Sequence, residues 1–157
     1  MTASPTILHA TTVTRFGPQG WRGVLLRGPS GAGKSDLALR LLFAGWRLVA
    51  DDRSLVWLSD GRLYARAPQP LKDLIEARGL GVLAQPALGQ TRVILAVDCA
   101  AEGCEVERTP EDETVRVLQA QLSRVQVYAK EASAAVKVAL ALDICERRFD
   151  TGGHQRI

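Results

Sequence analysis

This chain has little aromatic content, few thiols and no long apolar run. Aromatic residues make up 5% of its 157 residues while hydrophobic residues make up 46%. Its core must therefore be built from Leu, Val, Ala and Ile rather than from rings. Cysteine is limited to Cys99, Cys104 and Cys145. An odd count argues against a disulfide framework. Cys99 and Cys104 lack the spacing of a zinc knuckle and have no neighbouring histidine, so reduced thiols are expected. The longest apolar stretches are too short to span a bilayer and are interrupted by Lys137 and Asp143. The start, Met1-Thr2-Ala3-Ser4-Pro5, has neither a basic segment nor a long apolar one, so no secretory signal is expected. A net charge of +3 suits phosphate ligands. No basic block interleaved with aromatics is present, so no nucleic-acid partner is expected. There is no internal repeat and no low-complexity linker. The expectation is a soluble cytoplasmic protein with no membrane partner: one domain over residues 1–150 and a frayed tail over 151–157.

What is present is a phosphate loop. Gly28-Pro29-Ser30-Gly31-Ala32-Gly33-Lys34-Ser35 fits G-x-x-x-x-G-K-[ST] at every fixed position. It follows the apolar Val24-Leu25-Leu26 and opens a helical pattern from Asp36 to Leu42. The alternative, a glycine-rich turn before an ordinary helix, would not need that context. Glycines let the backbone aim its N–H groups at an anion. The helix N-terminus adds partial positive charge. Lys34 brings a full charge to the β- and γ-phosphates of a nucleotide, and the Ser35 hydroxyl can ligate Mg2+.

Around the loop the pattern predicts an α/β fold with a P-loop-containing mixed sheet. Strands are expected over Ile7–Val13, Arg22–Arg27, Trp46–Asp51 and Thr91–Asp98. A hairpin is expected at Ser59-Asp60-Gly61, between Ser54–Leu58 and Arg62–Arg66. A helix from Lys34 should end at Gly45. A short helix is predicted over Leu71–Ala77 and a long one over Lys130–Arg148. Short strands are predicted over Val115–Leu118 and Arg124–Val127. The acidic stretch from Glu102 to Glu113 reads as a solvated loop.

Two acidic positions compete to complete the site. Asp98 ends the apolar run Val93-Ile94-Leu95-Ala96-Val97 and is the better match to a Walker B aspartate by pattern alone. Asp51-Asp52 ends the shorter Leu48-Val49-Ala50. Adjacent carboxylates repel each other, a cost that a metal or lysine offsets, and such a pair could supply a base for a hydroxyl nucleophile. Read locally, the same pair could also be a strand-end turn.

The wider pattern resembles the catalytic domain of bacterial HPr kinase/phosphorylase. The resemblance rests on Leu8-His9 ahead of the phosphate-loop strand and on Gly28–Ser35 followed by Asp36-Leu37-Ala38-Leu39. It also rests on Gly45-Trp46-Arg47-Leu48-Val49-Ala50-Asp51-Asp52 and on Ile75-Glu76-Ala77-Arg78-Gly79-Leu80-Gly81-Val82-Leu83. These blocks lie within residues 7–84, and the C-terminal helix fits more loosely. The chain resembles a short form without the family's separate N-terminal domain. The resemblance implies a phosphoenolpyruvate-carboxykinase-like fold and an ATP-dependent serine kinase, and also a phosphorylase, acting on the phosphocarrier protein HPr and regulating the phosphotransferase system. ATP and Mg2+ are the implied cofactors, and a homo-hexamer the implied assembly.

The resemblance also implies roles. Asp51 would take the seryl proton, and in reverse would assist phosphate attacking phosphoserine. Asp52 would support it or contact metal. Ser35 and Glu76 would surround Mg2+, and Lys34 would stabilise the transferred charge. His9 would lie near the phosphates; without the resemblance it reads as a half-buried strand histidine. Arg78 would organise the signature loop. The chain departs from the family at Pro29, where Asp is frequent, and at Ala77, where Ile is usual. It departs again at Val127-Tyr128-Ala129-Lys130-Glu131-Ala132, where the family carries a Gly-Arg-Asn-like stretch. Lys130 stands near that arginine's place as a point charge rather than a planar fork. Two other classes stay open: a small-molecule P-loop kinase using Asp98, and a non-catalytic ATP-sensing module.

Overall fold

The computed structural model describes residues 4–152, with side chains through residue 148. Its sheet is organised around the strand with the most continuous apolar run. Chain order is β1 (Thr6–Leu8), β2 (Ala10–Gly17), β3 (Gly20–Arg27), α1 (Lys34–Phe43), β4 (Arg47–Ala50), β5 (Ser54–Ser59) and β6 (Arg62–Arg66). There follow one 3-10 turn (Gln69–Leu71), β7 (Leu74–Ala77), β8 (Gly81–Ala84), β9 (Thr91–Cys99), β10 (Glu113–Val117), β11 (Ala120–Val127) and α2 (Ala134–Gly152).

β9 lies parallel to β3 on one side. Its other side is shared: β6 pairs antiparallel with Thr91 and Arg92, and β11 pairs parallel from Leu95 to Cys99. The sheet therefore forks and curls, and β9 is covered on both faces. That is why it reads as a near-continuous run rather than an alternating one. β3 and β4 flank β2.

Alternation sorts the neighbouring side chains into two cores. Val24, Leu26, Leu95 and Val97 pack with Leu37 and Leu41 of α1 and with Val138 and Leu142 of α2. Leu25 and Ala96, on the opposite face, pack with Val56, Leu63 and Leu122. The β3–β9 register slips between Gly23/Val24, so Val93 pairs with Gly23 and Leu95 with Val24. The bulge turns Ile94 to the same core as Leu95.

Local chemistry accounts for the ends. α1 stops in a Schellman motif: Gly45 N–H bonds the Leu42 carbonyl at 3.1 Å and Trp46 N–H bonds the Leu41 carbonyl at 3.1 Å. Gly45 takes a φ of 99°, and Trp46 and Leu41 share the same core. Asp60 and Gly61, both at positive φ, form the two-residue connection of the β5–β6 hairpin, which suits the primed turns.

One expected element differs. Residues Leu71–Ala77 are not a helix; a 3-10 turn ends at Leu71, and Leu74–Ala77 is strand β7, paired antiparallel with β8. The segment's helical propensity is overridden by packing at period two, which buries Ile75 and Ala77 while Glu76 is exposed. α2 also begins later than expected, at Ala134, because Lys130–Ser133 forms turns in which Ala134 N–H reaches the Glu131 carbonyl at 3.1 Å. At its other end α2 runs to Gly152, while residues 153–157 of the expected tail lie outside the described residues. Among the described residues no helix is long and apolar enough to cross a membrane.

Candidate active site

β3 delivers the chain into the loop Gly28–Gly33, and α1 begins at Lys34. Gly28 is required twice over. Its φ is 148°, and a Cβ there would lie 2.7 Å from the Cys99 carbonyl oxygen at the end of β9. Gly33 at φ 96° is the N-cap of α1, and Leu37 N–H bonds its carbonyl at 2.9 Å. Pro29, Ser30 and Gly31 are exposed. Lys34 is only 6% exposed. Its ammonium donates to the Gly28 carbonyl at 2.7 Å and the Pro29 carbonyl at 3.2 Å, across the inside of the loop.

The two aspartates at the end of β4 have different surroundings. Asp51 is buried. Its Oδ1 accepts from the Ser35 hydroxyl at 2.7 Å and the Thr11 hydroxyl at 3.1 Å, and its Oδ2 accepts from the Glu76 N–H at 3.0 Å. One carboxylate thus joins the phosphate-loop helix, strand β2 and strand β7. Asp52 sits at φ 63°, at the centre of a tight turn closed by Arg53 N–H to the Asp51 carbonyl at 2.6 Å. Its own N–H bonds Thr11 Oγ1 at 3.0 Å. Its carboxylate turns outward to His9 Nε2 at 2.6 Å, at a half-exposed rim. His9 is the single residue between β1 and β2, where the chain leaves β5 and turns to β3.

Asp98 is elsewhere. It alternates with Val97, so it faces away from α1, on the side of Leu25 and Ala96. There Arg27 grips it at 2.8 and 3.1 Å, and Arg124 bonds it at 2.5 Å. Arg124 also pairs with Glu113. Burial pushes the Asp98 carboxyl up, but the two guanidiniums outweigh that and hold it below the ordinary carboxylate value.

Lys130 lies against the loop from the other side: a Cβ on Gly33 would be 3.4 Å from its Cγ. Its ammonium is 3.7 Å from Glu102. Between the loop and the strand ends is a cleft of about 280 Å³ lined by Ser30, Ala101, Tyr128 and Lys130 among others. Hence the structure brings Lys34, Ser35, Asp51, Asp52 and His9 to one place, sets Lys130 at its edge, and leaves Asp98 on the other face. Glu76 reaches Asp51 through its backbone N–H while its side chain is exposed.

Sequence reasoning passed over Thr11 and Arg40. Thr11 holds both Asp51 and Asp52, and its signal was a strand with threonine at positions 11, 12 and 14, all wholly buried. Arg40 pairs with Asp36, bonds the Glu131 carbonyl at 3.0 Å and the Ala129 carbonyl, and so pins the Lys130 segment to α1. Only the fold connects those positions.

The family model for the HPr Serine kinase C-terminal domain matches residues 2–127. The chain belongs to this family. Among its relatives, the HPr kinase/phosphorylase of Bacillus subtilis (strain 168) is 31% identical over 158 residues, covering 94% of this chain and 49% of that protein. The HPr kinase/phosphorylase of Limosilactobacillus reuteri (strain DSM 20016) is 47% identical over 77 residues, covering 48% of this chain and 24% of that protein. The chain thus spans at most about half the length of these curated relatives. Among solved structures, the Hpr(Ser) kinase/phosphatase from Coxiella burnetii matches with a TM-score of 0.77 at 19% identity, over 92% of this chain and 99% of that one. The expected α/β fold of the HPr kinase catalytic domain is therefore the observed one.

Proposed function

We propose that this family member is an ATP-dependent serine kinase acting on the phosphocarrier HPr, with residues 1–150 as its catalytic domain. The observation that carries the reading is the Ser35–Asp51 hydrogen bond of 2.7 Å directly behind the phosphate loop. It supports a reading in which the Asp51 carboxylate serves the attacking hydroxyl beside the phosphates.

The donor set suits Mg2+. Ser35 Oγ and the Asp51 carboxylate are hard oxygens beside a loop built for phosphates; among the described residues no three acidic, His or Cys side chains come together, so the exposed Asp52 and Glu76 carboxylates would join them only on binding. Bound there with ATP, Mg2+ would neutralise charge on the phosphate oxygens. The chain's own residues do the rest. The loop N–H groups orient the β-phosphate, and Lys34 exchanges the Gly28 and Pro29 carbonyls for phosphate oxygens. Asp51 accepts the proton of the HPr serine as its oxygen bonds the γ-phosphorus. The bond from that phosphorus to the bridging oxygen breaks, and ADP leaves. Thr11 and Glu76 N–H keep Asp51 aimed. His9 holds Asp52 at the mouth.

In reverse, protonated Asp51 would assist inorganic phosphate in attacking phosphoserine, with serine and pyrophosphate as products. Lys130, beside Gly33, would hold that phosphate in this reading. Assembly as a homo-hexamer in the cytoplasm accompanies this reading. Asp98 facing away from α1 disfavours a small-molecule kinase that uses it.

The test is incubation with ATP, Mg2+ and HPr from the same organism, followed by mapping of phosphate by mass spectrometry. A single phosphoserine on HPr supports the reading. ATP binding with no transfer to HPr overturns it in favour of an ATP sensor.

A further inference from the structure

Lys130 is exposed, yet the backbone that carries it is tied down. Glu131 N–H donates to the Tyr128 carbonyl at 3.0 Å, so Ala129 and Lys130 are the central residues of a tight turn. Arg40, half-buried on α1, grips that turn on both sides of Lys130. Its guanidinium donates to the Glu131 carbonyl at 3.0 Å and to the Ala129 carbonyl. Ala129 is buried, and a buried carbonyl left without a donor is costly. Asp36, one helical turn earlier, accepts from the same guanidinium at 3.0 and 3.1 Å and fixes its direction.

The gripped turn packs on the phosphate loop. A Cβ on Gly33 would lie 3.3 Å from the Ala129 Cβ and 3.4 Å from the Lys130 Cγ. Lys130 also lines the cleft of about 280 Å³ together with Ser30 and Gly31 of that loop. A lysine is a point charge on a flexible stem, so the place where the stem leaves the backbone sets what its ammonium can reach. Arg40 fixes that place. Its planar fork bridges two carbonyls and a carboxylate at once, which a single ammonium in its position could not do.

We propose that Arg40 is a positioning residue: it sets Lys130 beside the phosphate loop and so strengthens the hold on phosphate there, without touching phosphate itself. The proposal rests on the reading of Lys130 as a phosphate-holding cation. It differs from a direct effect of the Arg40 charge, because it acts only while Lys130 is present. It differs from a purely stabilising contact, because it changes affinity for phosphate in the folded chain.

The test is calorimetry of inorganic pyrophosphate binding to the full chain with Mg2+, which needs no HPr. Lys130→Met and Arg40→Met should each weaken binding about three- to fivefold, the upper range for one exposed charge pair. The double variant should be no weaker than Lys130→Met alone, because Arg40 then has nothing to position. Arg40→Lys keeps the charge without the fork and should remain as weak as Arg40→Met, which also covers the case in which Arg40→Met fails to fold. In phosphorolysis Arg40→Lys should raise the KM for inorganic phosphate with kcat little changed. Losses that add in the double variant, full affinity in Arg40→Lys, or a fall in kcat at unchanged KM overturns the positioning role. Wild-type affinity in Lys130→Met, or no saturable binding to the parent, overturns the reading of Lys130 and the proposal with it. Absence of phosphoserine on HPr overturns the kinase reading and leaves the pyrophosphate result standing.

Discussion

Ser35 Oγ donates to Asp51 Oδ1 at 2.7 Å, tying the first turn of α1 to the end of β4. That contact singles out Asp51 from the three carboxylates that end apolar strands in this chain. Asp51→Asn should cut phosphoryl transfer to HPr by roughly 10²–10⁴ while changing nucleotide affinity far less. Lys34→Ala should nearly abolish transfer, and its circular dichroism should match the parent. Asp98→Asn should leave most of the turnover. Initial rates of the three purified variants decide the matter. A dead Asp98→Asn beside an active Asp51→Asn would reverse the assignment.

Asp98 should reveal itself in stability instead. Its carboxyl is held low by Arg27 and Arg124 against the upward push of burial. A depressed folded value means the stabilisation is present above the unfolded value of about 4 and is lost as pH falls through the lower folded value. Asp98→Asn should cost about 1–2 kcal/mol at pH 7, between the exposed and fully buried limits for an ion pair. The gap between variant and parent should narrow below pH 4. Urea titrations at pH 7 and pH 3 measure it, and an undiminished gap at pH 3 would refute the linkage.

Lys130 lies beside Gly33 but offers a point charge. Phosphorolysis should therefore lag behind the ATP-driven reaction. Lys130→Arg should raise the pyrophosphate released from phosphoserine-HPr and inorganic phosphate, relative to the kinase rate at matched Mg2+. Phosphorolysis that survives Lys130→Ala unchanged would assign the role to another residue.

The thiols should differ sharply. Burial pushes Cys99 up to about 11 and raises Cys145, whereas Cys104 is exposed. Since only the thiolate alkylates rapidly, native protein at pH 8 should be modified by iodoacetamide at Cys104 alone. Cys99 and Cys145 should react once urea unfolds the chain. Peptide mapping before and after unfolding provides the check, and rapid native labelling of Cys99 would contradict its burial against the phosphate loop.

Much of this was legible in the sequence because the causes are local. The phosphate loop needs glycines at fixed spacing, and Gly28 and Gly33 take the positive φ that spacing implies. Gly45 ends α1 through a Schellman motif, and Asp60-Gly61 closes a hairpin, since each depends on residues a few positions apart. The run Val93–Val97 announced a strand, and its continuity is explained by the burial of β9 on both faces. Nonlocal choices were hidden. Leu71–Ala77 has helical residues, yet its Leu74–Ala77 part is a strand, because Ile75 fills the core under α1 and the Glu76 N–H is taken by Asp51. Asp98 has the better strand pattern, but which face a strand-end carboxylate meets is set by sheet register and by where the helices pack. Register turned Asp98 toward Arg27 and Arg124. The short β4, entering beside β2, set Asp51 against Ser35 and Thr11. Composition and spacing determined that the chain carries a phosphate-loop motif in an α/β fold; only the tertiary structure decided which carboxylate faces that loop, because that depends on contacts between residues far apart in the chain.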